Sequence, residues 1–330
     1  MRFGILSTAD IGRRAVIPAI RKTDHEVVAV ASRDEETARE FADDLEIPTS
    51  YGSYEELLEA DIDAVYNPLP NALHAEWTRR AADAGLDVLC EKPLTVDASA
   101  ATALFDYCAD AGVTLMEAFM YQFHPRTERA REIVREDLST VRSVESTFTF
   151  SLRGDPDDIR LSPQLAGGSL MDVGCYAVSA TRGFLGEPAR IHAHALDTRE
   201  CGVDTDLVAQ FEYDDSGAHA QIRSGFDTQH RQHYCVDAEN GWLEAENVFN
   251  PGPDTEVSIT YSVDGEETTE TFDPEDAYRL EVEAFVDAAE RGSEPPIDRT
   301  ETVANMRAID AIYESADCGA PVALDGSRQR

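Results

Sequence analysis

The first 120 residues alternate short apolar runs with segments of helical periodicity, and this alternation limits the possible folds more than any other feature of the chain. Strands separated by helices in this way are typical of βαβ units, whose strands run parallel in one sheet. We therefore predict an N-terminal α/β domain with a parallel sheet over residues 1–120. Its predicted strands are Phe3–Ser7, Val27–Ser32, Ala64–Asn67, Val88–Cys90 and Thr114–Ala118.

The pattern changes after residue 120. The segment Ser143–Leu152 alternates polar and apolar side chains, with Thr147 and Thr149 on the predicted solvated face. Ser216-Gly217 and Asp264-Gly265 each join two apolar runs and predict hairpin turns. Residues 121–330 are thus predicted to form a second α/β domain with an open, largely antiparallel sheet. Two closing helices are predicted, Ala277–Arg291 and Thr302–Asp317.

The chain is strongly acidic, with 65 Asp and Glu against 28 Lys and Arg and a net charge of −37, yet 42% of its residues are hydrophobic. An ordinary core is therefore expected. Such self-repulsion is tolerated in concentrated salt, where the Debye length falls to about 3 Å at 1 M. We predict a salt-adapted protein; the alternative is an acidic surface that only confers high solubility. Either way, the charge argues against nucleic acid and membrane partners.

The six cysteines contain no C-x-x-C pair, and several lie in apolar stretches, so we expect reduced core residues. The sequence shows neither a signal peptide nor an apolar run long enough to span a membrane. We expect a cytoplasmic protein.

Lys92 is one of only two lysines in the chain and lies in Glu91-Lys92-Pro93, directly after an apolar run. A lysine ammonium is a compact cation that can polarise a hydroxyl group. Because lysine is so scarce here, we favour a chemical role for Lys92 over the alternative of a solvated loop residue. The other lysine, Lys22, ends an amphipathic helical stretch and is expected at the surface.

The segment after the first predicted strand resembles a dinucleotide-binding turn only in part. Of the G-x-G-x-x-G pattern, Gly12 matches, whereas Ser7 and Ala9 replace the first two glycines. The backbone of such a turn and the helix that follows hold a pyrophosphate. The alternative is an ordinary strand-to-helix turn. The predicted cofactor contacts here are Ser7, Thr8, Ala9, Ile11 and Gly12.

The end of the second predicted strand favours NADP. An acidic residue there would bind the ribose hydroxyl of NAD, whereas this chain has Ser32 and Arg33, which suit a 2′-phosphate. The alternative is an ion pair between Arg33 and the neighbouring Asp34.

A proline-containing loop follows the third predicted strand. Asn71 is predicted to cap the next helix and His74 to face the same end, so that the loop lines the nicotinamide; the alternative is a capped helix start without a ligand. The predicted contacts are Leu69, Pro70, Asn71 and His74, together with Glu91 and Lys92.

In the second half, a glycine pair leads into a helical segment that contains Asp172 and Tyr176 at i, i+4 spacing. A tyrosine near an ammonium group can carry a proton. From spacing alone, a packing role for Tyr176 and a capping role for Asp172 are the favoured alternatives.

Metal binding is not predicted. His192 and His194 alternate along a strand, and His230, His233 and Cys235 only loosely resemble a ligand set, since positions i and i+3 of a strand face opposite sides.

Several motifs in this order resemble the glucose–fructose oxidoreductase/inositol dehydrogenase/rhizopine catabolism family, over nearly the whole chain. They are Leu69-Pro70-Asn71-x-x-His74, Glu91-Lys92-Pro93 and the segment Gly167–Tyr176. Three segments are most similar to the branch that contains NADP-dependent D-xylose dehydrogenases and dimeric dihydrodiol dehydrogenases, namely Tyr66–Asn71, Glu117–Pro125 and Asp172–Tyr176.

This resemblance implies a Rossmann NADP-binding domain over residues 1–120. It also implies that residues 121–330 serve substrate binding and oligomerisation, through an open mixed sheet whose exposed face often forms a dimer or tetramer. It implies that Lys92 orients and polarises the reacting hydroxyl, that Tyr176 is the acid/base and that Asp172 helps to position a sugar. Ser7 and Ala9 depart from the family pattern, as does Gln122, where an arginine is expected.

The implied activity is NADP-dependent oxidation of a neutral aldopyranose at C1 to the lactone, with D-xylose as the leading substrate. Oxidation of a trans-dihydrodiol or of another sugar or polyol is the alternative enzyme activity. A non-catalytic dinucleotide sensor is opposed by the presence of Lys92 and Tyr176, and an exported oxidoreductase that holds its cofactor permanently is opposed by the lack of a signal peptide.

Overall fold

The computed structural model describes residues 1–154 and 157–324, which form two compact units. Unit 1 consists of Met1–Met120 and Asp276–Val303. Unit 2 consists of Tyr121–Glu275 and the chain from Ala304 onward. The predicted boundary at residue 120 assigned everything after it to one domain, whereas the segment Asp276–Val303 lies in unit 1.

Unit 1 contains a six-stranded sheet in the order β3-β2-β1-β4-β5-β6, and all its paired strands are parallel. This is the strand order of the doubly wound dinucleotide-binding fold, so the predicted Rossmann domain is confirmed. The strands are β1 (Arg2–Leu6), β2 (Glu26–Ala31), β3 (Thr49–Tyr51), β4 (Ala64–Asn67), β5 (Asp87–Glu91) and β6 (Leu115–Ala118).

The central strands are almost wholly apolar because helices can cover both faces of a parallel sheet. Ile5, Val65 and Leu89 are all 0% exposed. The first helices of the chain are α1 (Ile17–Ile20), which continues a π-helical turn over Gly12–Val16, then α2 (Glu35–Asp44), α3 (Tyr54–Leu58), α4 (Asn71–Asp83) and α5 (Ala98–Ala111).

Unit 2 contains a nine-stranded sheet in the order β14-β13-β12-β11-β7-β10-β9-β8-β15, in which β7 and β10 pair parallel and the other neighbours pair antiparallel. The predicted largely antiparallel sheet is therefore confirmed. Its strands are β7 (Val141–Ser151), β8 (Arg190–Leu196), β9 (Asp206–Glu212), β10 (His219–Gly225), β11 (Asp227–Ala238), β12 (Gly241–Glu246), β13 (Val257–Val263), β14 (Glu266–Phe272) and β15 (Val322–Ala323).

Both predicted hairpins are present. Gly217 (φ 65°), Asp264 (φ 52°) and Gly265 (φ 87°) supply the positive backbone angles that their turns need. One detail of β7 was predicted wrongly, because Thr147 and Thr149 are only 6% and 3% exposed. This strand lies in the middle of the sheet between β11 and β10, and the Thr149 hydroxyl donates to the Gln229 carbonyl.

The remaining helices of the chain are α6 (Pro125–Glu136), α7 (Cys175–Leu185), α8 (Ala277–Arg291) and α9 (Arg299–Cys318), with short helical turns at Met120–Phe123, Ile159–Leu161, Pro163–Leu165 and Leu170–Gly174. The bounds of α8 are those predicted. In unit 1 its Phe285 ring lies 6.2 Å from the ring of Phe3, between centroids.

None of the six cysteines, all of which lie in the described part of the chain, forms a disulfide. Cys90, Cys108 and Cys175 are buried as expected. Cys318 is exposed, because it lies on the last turn of α9 rather than in the core. No described helix is both long and apolar enough to cross a bilayer.

Candidate functional site

The turn after β1 keeps the geometry of a dinucleotide-binding loop without its first two glycines. Ser7 has φ 110°, a conformation that favours glycine, and its N–H donates to the Ala31 carbonyl at 3.1 Å. The Ser7 hydroxyl accepts from the N–H of Ala9 at 3.2 Å. The helical turns begin directly afterwards, and the first N–H groups of a helix have no partner within it. Thr8 and Ile11 flank this turn and are half-buried.

Gly12 is not required by the packing of unit 1. A methyl group at this position would approach no heavy atom closer than 3.8 Å, the nearest being a methyl of Ile5. Close approach of a ligand therefore explains this glycine better than crowding does. Together with the strained turn at Ser7, the position fits a pyrophosphate at the start of the helix.

The end of β2 carries the predicted 2′-phosphate contacts. Arg33 is exposed, and its guanidinium lies close to the Tyr54 hydroxyl, whose pKa is raised by burial and lowered in part by Arg33. Asp34 instead caps α2 by accepting from the N–H of Thr37 at 2.8 Å, a hydrogen bond that lowers the pKa of Asp34. Among the described residues no ion pair joins Arg33 to Asp34, so that alternative is not supported. The Ser32 hydroxyl accepts from the Asp34 N–H at 3.3 Å.

The loop before α4 is held from within the protein. Asn71 is the first helical residue and Pro70 occupies the capping position, so the predicted capping role of Asn71 is wrong. His74 is 0% exposed, and its ring nitrogens lie 2.6 Å from the Leu69 carbonyl oxygen and 2.9 Å from that of Pro93. Burial lowers the pKa of His74 to about 4. At neutral pH the ring carries one N–H and donates to one of these carbonyls.

His74 therefore holds the loop that contains Leu69 and the loop that contains Pro93. Its predicted direct contact with the cofactor would thus be replaced by an indirect influence through these two loops. Asn67, which sequence reasoning missed, has a related role. Its side chain accepts from the Leu69 N–H at 3.3 Å and donates to the Thr78 hydroxyl at 3.2 Å. An asparagine at the end of a buried parallel strand was the available signal.

Lys92 follows the last residue of β5 and is half-buried. The Glu91 carboxylate accepts from the Tyr66 hydroxyl at 2.7 Å and from the backbone N–H of Lys92 at 3.3 Å. The peptide bond between Lys92 and Pro93 is cis. The Tyr66 hydroxyl of β4 thus holds the first side chain of this motif.

A second carboxyl group near Lys92 was not predicted. Glu117 of β6 is 1% exposed and accepts from the backbone N–H of Leu94 at 2.8 Å. Burial raises the pKa of Glu117 to about 7, an increase that Lys92 opposes. An acidic residue within an apolar strand of a parallel sheet was the available signal, since such a residue is rarely buried without a partner.

In unit 2, Tyr176 is the second residue of α7 and is 6% exposed. Its ring lies in an aromatic cluster, with centroid distances of 5.7 Å to Tyr121, 5.6 Å to Phe148 and 5.5 Å to Phe249. This cluster fixes the ring plane while leaving the phenol oxygen as the polar end of the side chain.

Asp172 lies in the π-helical turn that precedes α7, so the ordinary i, i+4 spacing to Tyr176 does not hold there. Its carboxylate accepts from Arg160 Nε at 2.9 Å, and Ser169 rather than Asp172 takes the capping position. The capping alternative for Asp172 is therefore not supported.

Gln122, which departs from the family pattern as Ser7 and Ala9 do, links the aromatic cluster to a guanidinium group. Its amide donates to the Ser179 hydroxyl at 3.1 Å, and Ser179 in turn contacts the Tyr121 hydroxyl at 2.8 Å. Arg131 donates to the side-chain oxygen of Gln122 at 3.3 Å. An amide can accept this bond, whereas an arginine at position 122 could not.

A cavity of about 700 Å³ lies in unit 2, and its described lining includes Tyr213, Asp214, Arg307 and Leu324 but none of the predicted site residues. This cavity therefore does not coincide with the predicted site. Within the described residues, no group of three or more histidine, cysteine or acidic side chains is arranged to hold a metal ion.

Comparisons with known proteins show the family of the chain. Residues 1–119 match the model of an oxidoreductase family with an NAD-binding Rossmann fold, and residues 127–244 match the GFO/IDH/MocA C-terminal domain. D-xylose 1-dehydrogenase (NADP(+)) 2 of Haloferax volcanii is 60% identical over 98% of this chain and 100% of its own length.

Two solved structures are also similar. A 3-ketoreductase from Actinomadura kijaniata, in complex with NADP and TDP-benzene, has a TM-score of 0.89 at 30% identity and covers 96% of this chain and 97% of its own. An aldose-aldose oxidoreductase from Caulobacter crescentus, complexed with glycerol, has a TM-score of 0.89 at 27% identity and covers 98% of this chain and 99% of its own.

Proposed function

Because the chain belongs to the GFO/IDH/MocA family of oxidoreductases, we propose that it oxidises an aldopyranose at C1 to the lactone with NADP, and that D-xylose is its substrate. The observation that carries this proposal is the 60% identity, along essentially the whole of both chains, to a relative named D-xylose 1-dehydrogenase (NADP(+)) 2.

Residues of unit 1 supply the cofactor site in this proposal. The turn over Ser7–Gly12 holds the pyrophosphate, Ser32 and Arg33 bind the 2′-phosphate, and Leu69–Asn71 with Glu91 lie along the nicotinamide half. The strained Ser7 and the uncrowded Gly12 support this assignment. Bound NADP would supply the acceptor for the hydride that C1 of the sugar loses.

Lys92 and Tyr176 carry the proton chemistry. The phenol oxygen of Tyr176 takes the proton of the C1 hydroxyl, because a base near that oxygen is needed as hydride leaves C1. The Lys92 ammonium polarises the hydroxyl and favours the phenolate form of the tyrosine. Asp172, oriented by Arg160, accepts hydrogen bonds from the sugar hydroxyls.

The charge of the chain supports a neutral substrate, since a net charge of −37 disfavours sugar phosphates, sugar acids and nucleic acids. We further propose a salt-adapted cytoplasmic enzyme of pentose catabolism that forms a homodimer or homotetramer through the open face of the unit 2 sheet. The family resemblance supports this assembly.

A substrate panel tests the proposal. Xylose, glucose, arabinose, inositol and an aromatic trans-dihydrodiol are each offered with NADP and with NAD in molar salt, and the product is trapped as lactone or acid. We expect the highest kcat/KM for xylose with NADP. A preference for the dihydrodiol or inositol would replace the proposed substrate, and no reduction of NADP with any compound would favour the dinucleotide sensor.

A further inference from the structure

The turn that carries Lys92 is held on two sides by buried side chains. Its middle residue, Pro93, has its carbonyl oxygen 2.9 Å from the ring of His74 on α4. Its next residue, Leu94, donates its N–H to Glu117 on β6 at 2.8 Å. Leu94 and His74 are 0% exposed and Glu117 is 1% exposed, so solvent does not compete for these contacts.

We propose that Glu117 is a positioning residue for Lys92. The ionised carboxylate of Glu117 holds the Lys92–Leu94 turn and so sets the position of the Lys92 ammonium group. This inference rests on the proposed function for its catalytic consequence. The register of the sheet supports it, because Glu117 pairs with Cys90, two residues before Lys92. The carboxylate therefore lies on the strand beside the one from which the turn emerges.

Few other charged or polar groups act on the Glu117 carboxyl group. Lys92 attracts the carboxylate, whereas Glu301 repels it. The Thr302 hydroxyl of α9 lies nearby but makes no hydrogen bond of good geometry with any described residue. The Cys90 thiol has its pKa raised well above the usual range, mainly by burial and in smaller part by Glu91 and Glu117, and does not compete as an anion.

The protonation state of Glu117 changes within the pH range in which enzymes commonly work. Burial raises its pKa to about 7, so the carboxylate forms as the pH rises through neutrality. A charged acceptor binds the Leu94 N–H about twice as strongly as a neutral one. The hold on the turn is thus strong above neutral pH and weak below it.

Kinetic measurements test the consequence for catalysis. In Glu117→Gln, the amide oxygen still accepts from Leu94 but the charge is lost. A small misplacement of a reacting group costs up to roughly 10²-fold in rate. In this variant we expect kcat with the sugar to fall by that order and the KM for NADP to stay within about twofold. We expect the plot of kcat against pH to show an inflection near pH 7 for the wild-type enzyme and none for the variant. Glu117→Asp, which keeps the charge, is expected to retain the inflection.

The scarcity of lysine allows a second test that needs no substrate. Reductive methylation with [13C]formaldehyde labels Lys22, Lys92 and the N-terminal amine, and Lys22→Arg assigns the Lys22 signal. We expect the Lys92 methyl signal of the wild-type protein to shift with an inflection near pH 7, and this inflection to be absent in Glu117→Gln. Glu281→Gln is the matched control, since it removes another fully buried carboxyl group of unit 1 and is expected to leave the inflection in place.

An inflection that persists at Lys92 in Glu117→Gln, or that is missing from the wild-type protein, overturns the positioning role. This result does not depend on turnover. Failure of every sugar to reduce NADP would overturn the proposed function alone. If Glu117→Gln does not fold, the wild-type and Glu117→Asp titrations decide, because both must then show the inflection.

Discussion

Lys92 and Tyr176 are the two side chains on which the proposed reaction depends most directly. We expect Lys92→Met and Tyr176→Phe each to lower kcat by about 10²–10⁴-fold, the usual contribution of general acid–base catalysis. Cofactor binding and the circular dichroism spectrum should stay close to wild type. Lys22→Met is the matched control, because the Lys22 ammonium pairs with Asp276 at 2.6 Å on the surface of unit 1. Near-normal turnover in either catalytic variant would remove that residue from the proposal.

Arg33 is expected to decide between the two dinucleotides. Arg33→Ala removes a charge-assisted contact that only the 2′-phosphate of NADP can use. The KM for NADP should therefore rise by about tenfold or more, which corresponds to the 1.5–3 kcal/mol of a hydrogen bond to a charged group, while the KM for NAD changes little. Arg39→Ala on the exposed side of α2 serves as control, since Arg39 pairs only with Glu36 in the described structure. Equal changes for both cofactors would place Arg33 away from the phosphate.

At the scale of residues, the sequence could single out candidates whose chemistry is unusual for the chain, but not residues whose proposed role depends on a neighbour. Lys92 became a candidate because lysine is so rare here. Glu117 did not, because its proposed positioning role depends on the N–H of Leu94, which only the pairing of β5 with β6 brings close. His74 was placed on the correct loop but with its ring directed at a ligand rather than at two carbonyls.

At the scale of elements, α8 brings an unpaired carboxyl group into the core of unit 1. Glu281 is 0% exposed, and neither of its carboxyl oxygens has a hydrogen-bond partner among the described residues. Burial, with the nearby Glu91, raises the pKa of Glu281 well above the usual range.

The burial of Glu281 predicts that the free energy of unfolding depends on pH. A carboxyl group whose pKa is raised by folding contributes its full stability below its unfolded pKa, near 4.5, and loses it as the pH rises towards the folded value. The advantage of Glu281→Gln over wild type in free energy of unfolding should therefore grow as the pH rises above about 4.5. Urea titrations at several pH values in fixed molar salt measure this. A pH-independent difference would mean that Glu281 is ionised when folded.

The elements with strong periodicity were predictable from the sequence, and the weaker ones were not. The bounds of α8 were predicted to the residue, and the two hairpins were identified from their turns. The strands β3 and β12 were not predicted, because they carry many polar residues and are held by pairing with neighbours rather than by their own apolar pattern. No local sequence pattern could show that α8 packs in unit 1. Contacts between residues far apart in the sequence, such as Phe3 with Phe285, place it there.

At the scale of the whole molecule, the excess of acidic residues predicts a steep response to salt. With 65 acidic and 28 basic side chains, most carboxylates cannot be paired even if every basic group binds one. Raising the salt from 0.1 M to 1 M shortens the Debye length from about 10 Å to about 3 Å and screens this repulsion. We expect the melting temperature to rise by roughly 10 °C or more over that interval, which corresponds to several kcal/mol of relieved repulsion in a chain of this size.

Sucrose at matched osmolality is the control for this salt effect, because it favours compact states without screening charge. A melting temperature that does not change between dilute and molar KCl would contradict the proposed salt adaptation.

The division of the chain also affects how it folds as it is made. The chain passes from one unit to the other after Met120, after Glu275 and after Val303, so unit 1 is not contiguous in sequence. At ordinary translation speeds, roughly 10–40 s separate the synthesis of Met120 from that of Val303. During this interval the emerging Rossmann sheet lacks α8, and the side of Phe3 that Phe285 later covers stays open. The nascent chain therefore cannot complete its first unit before most of its second unit has left the ribosome.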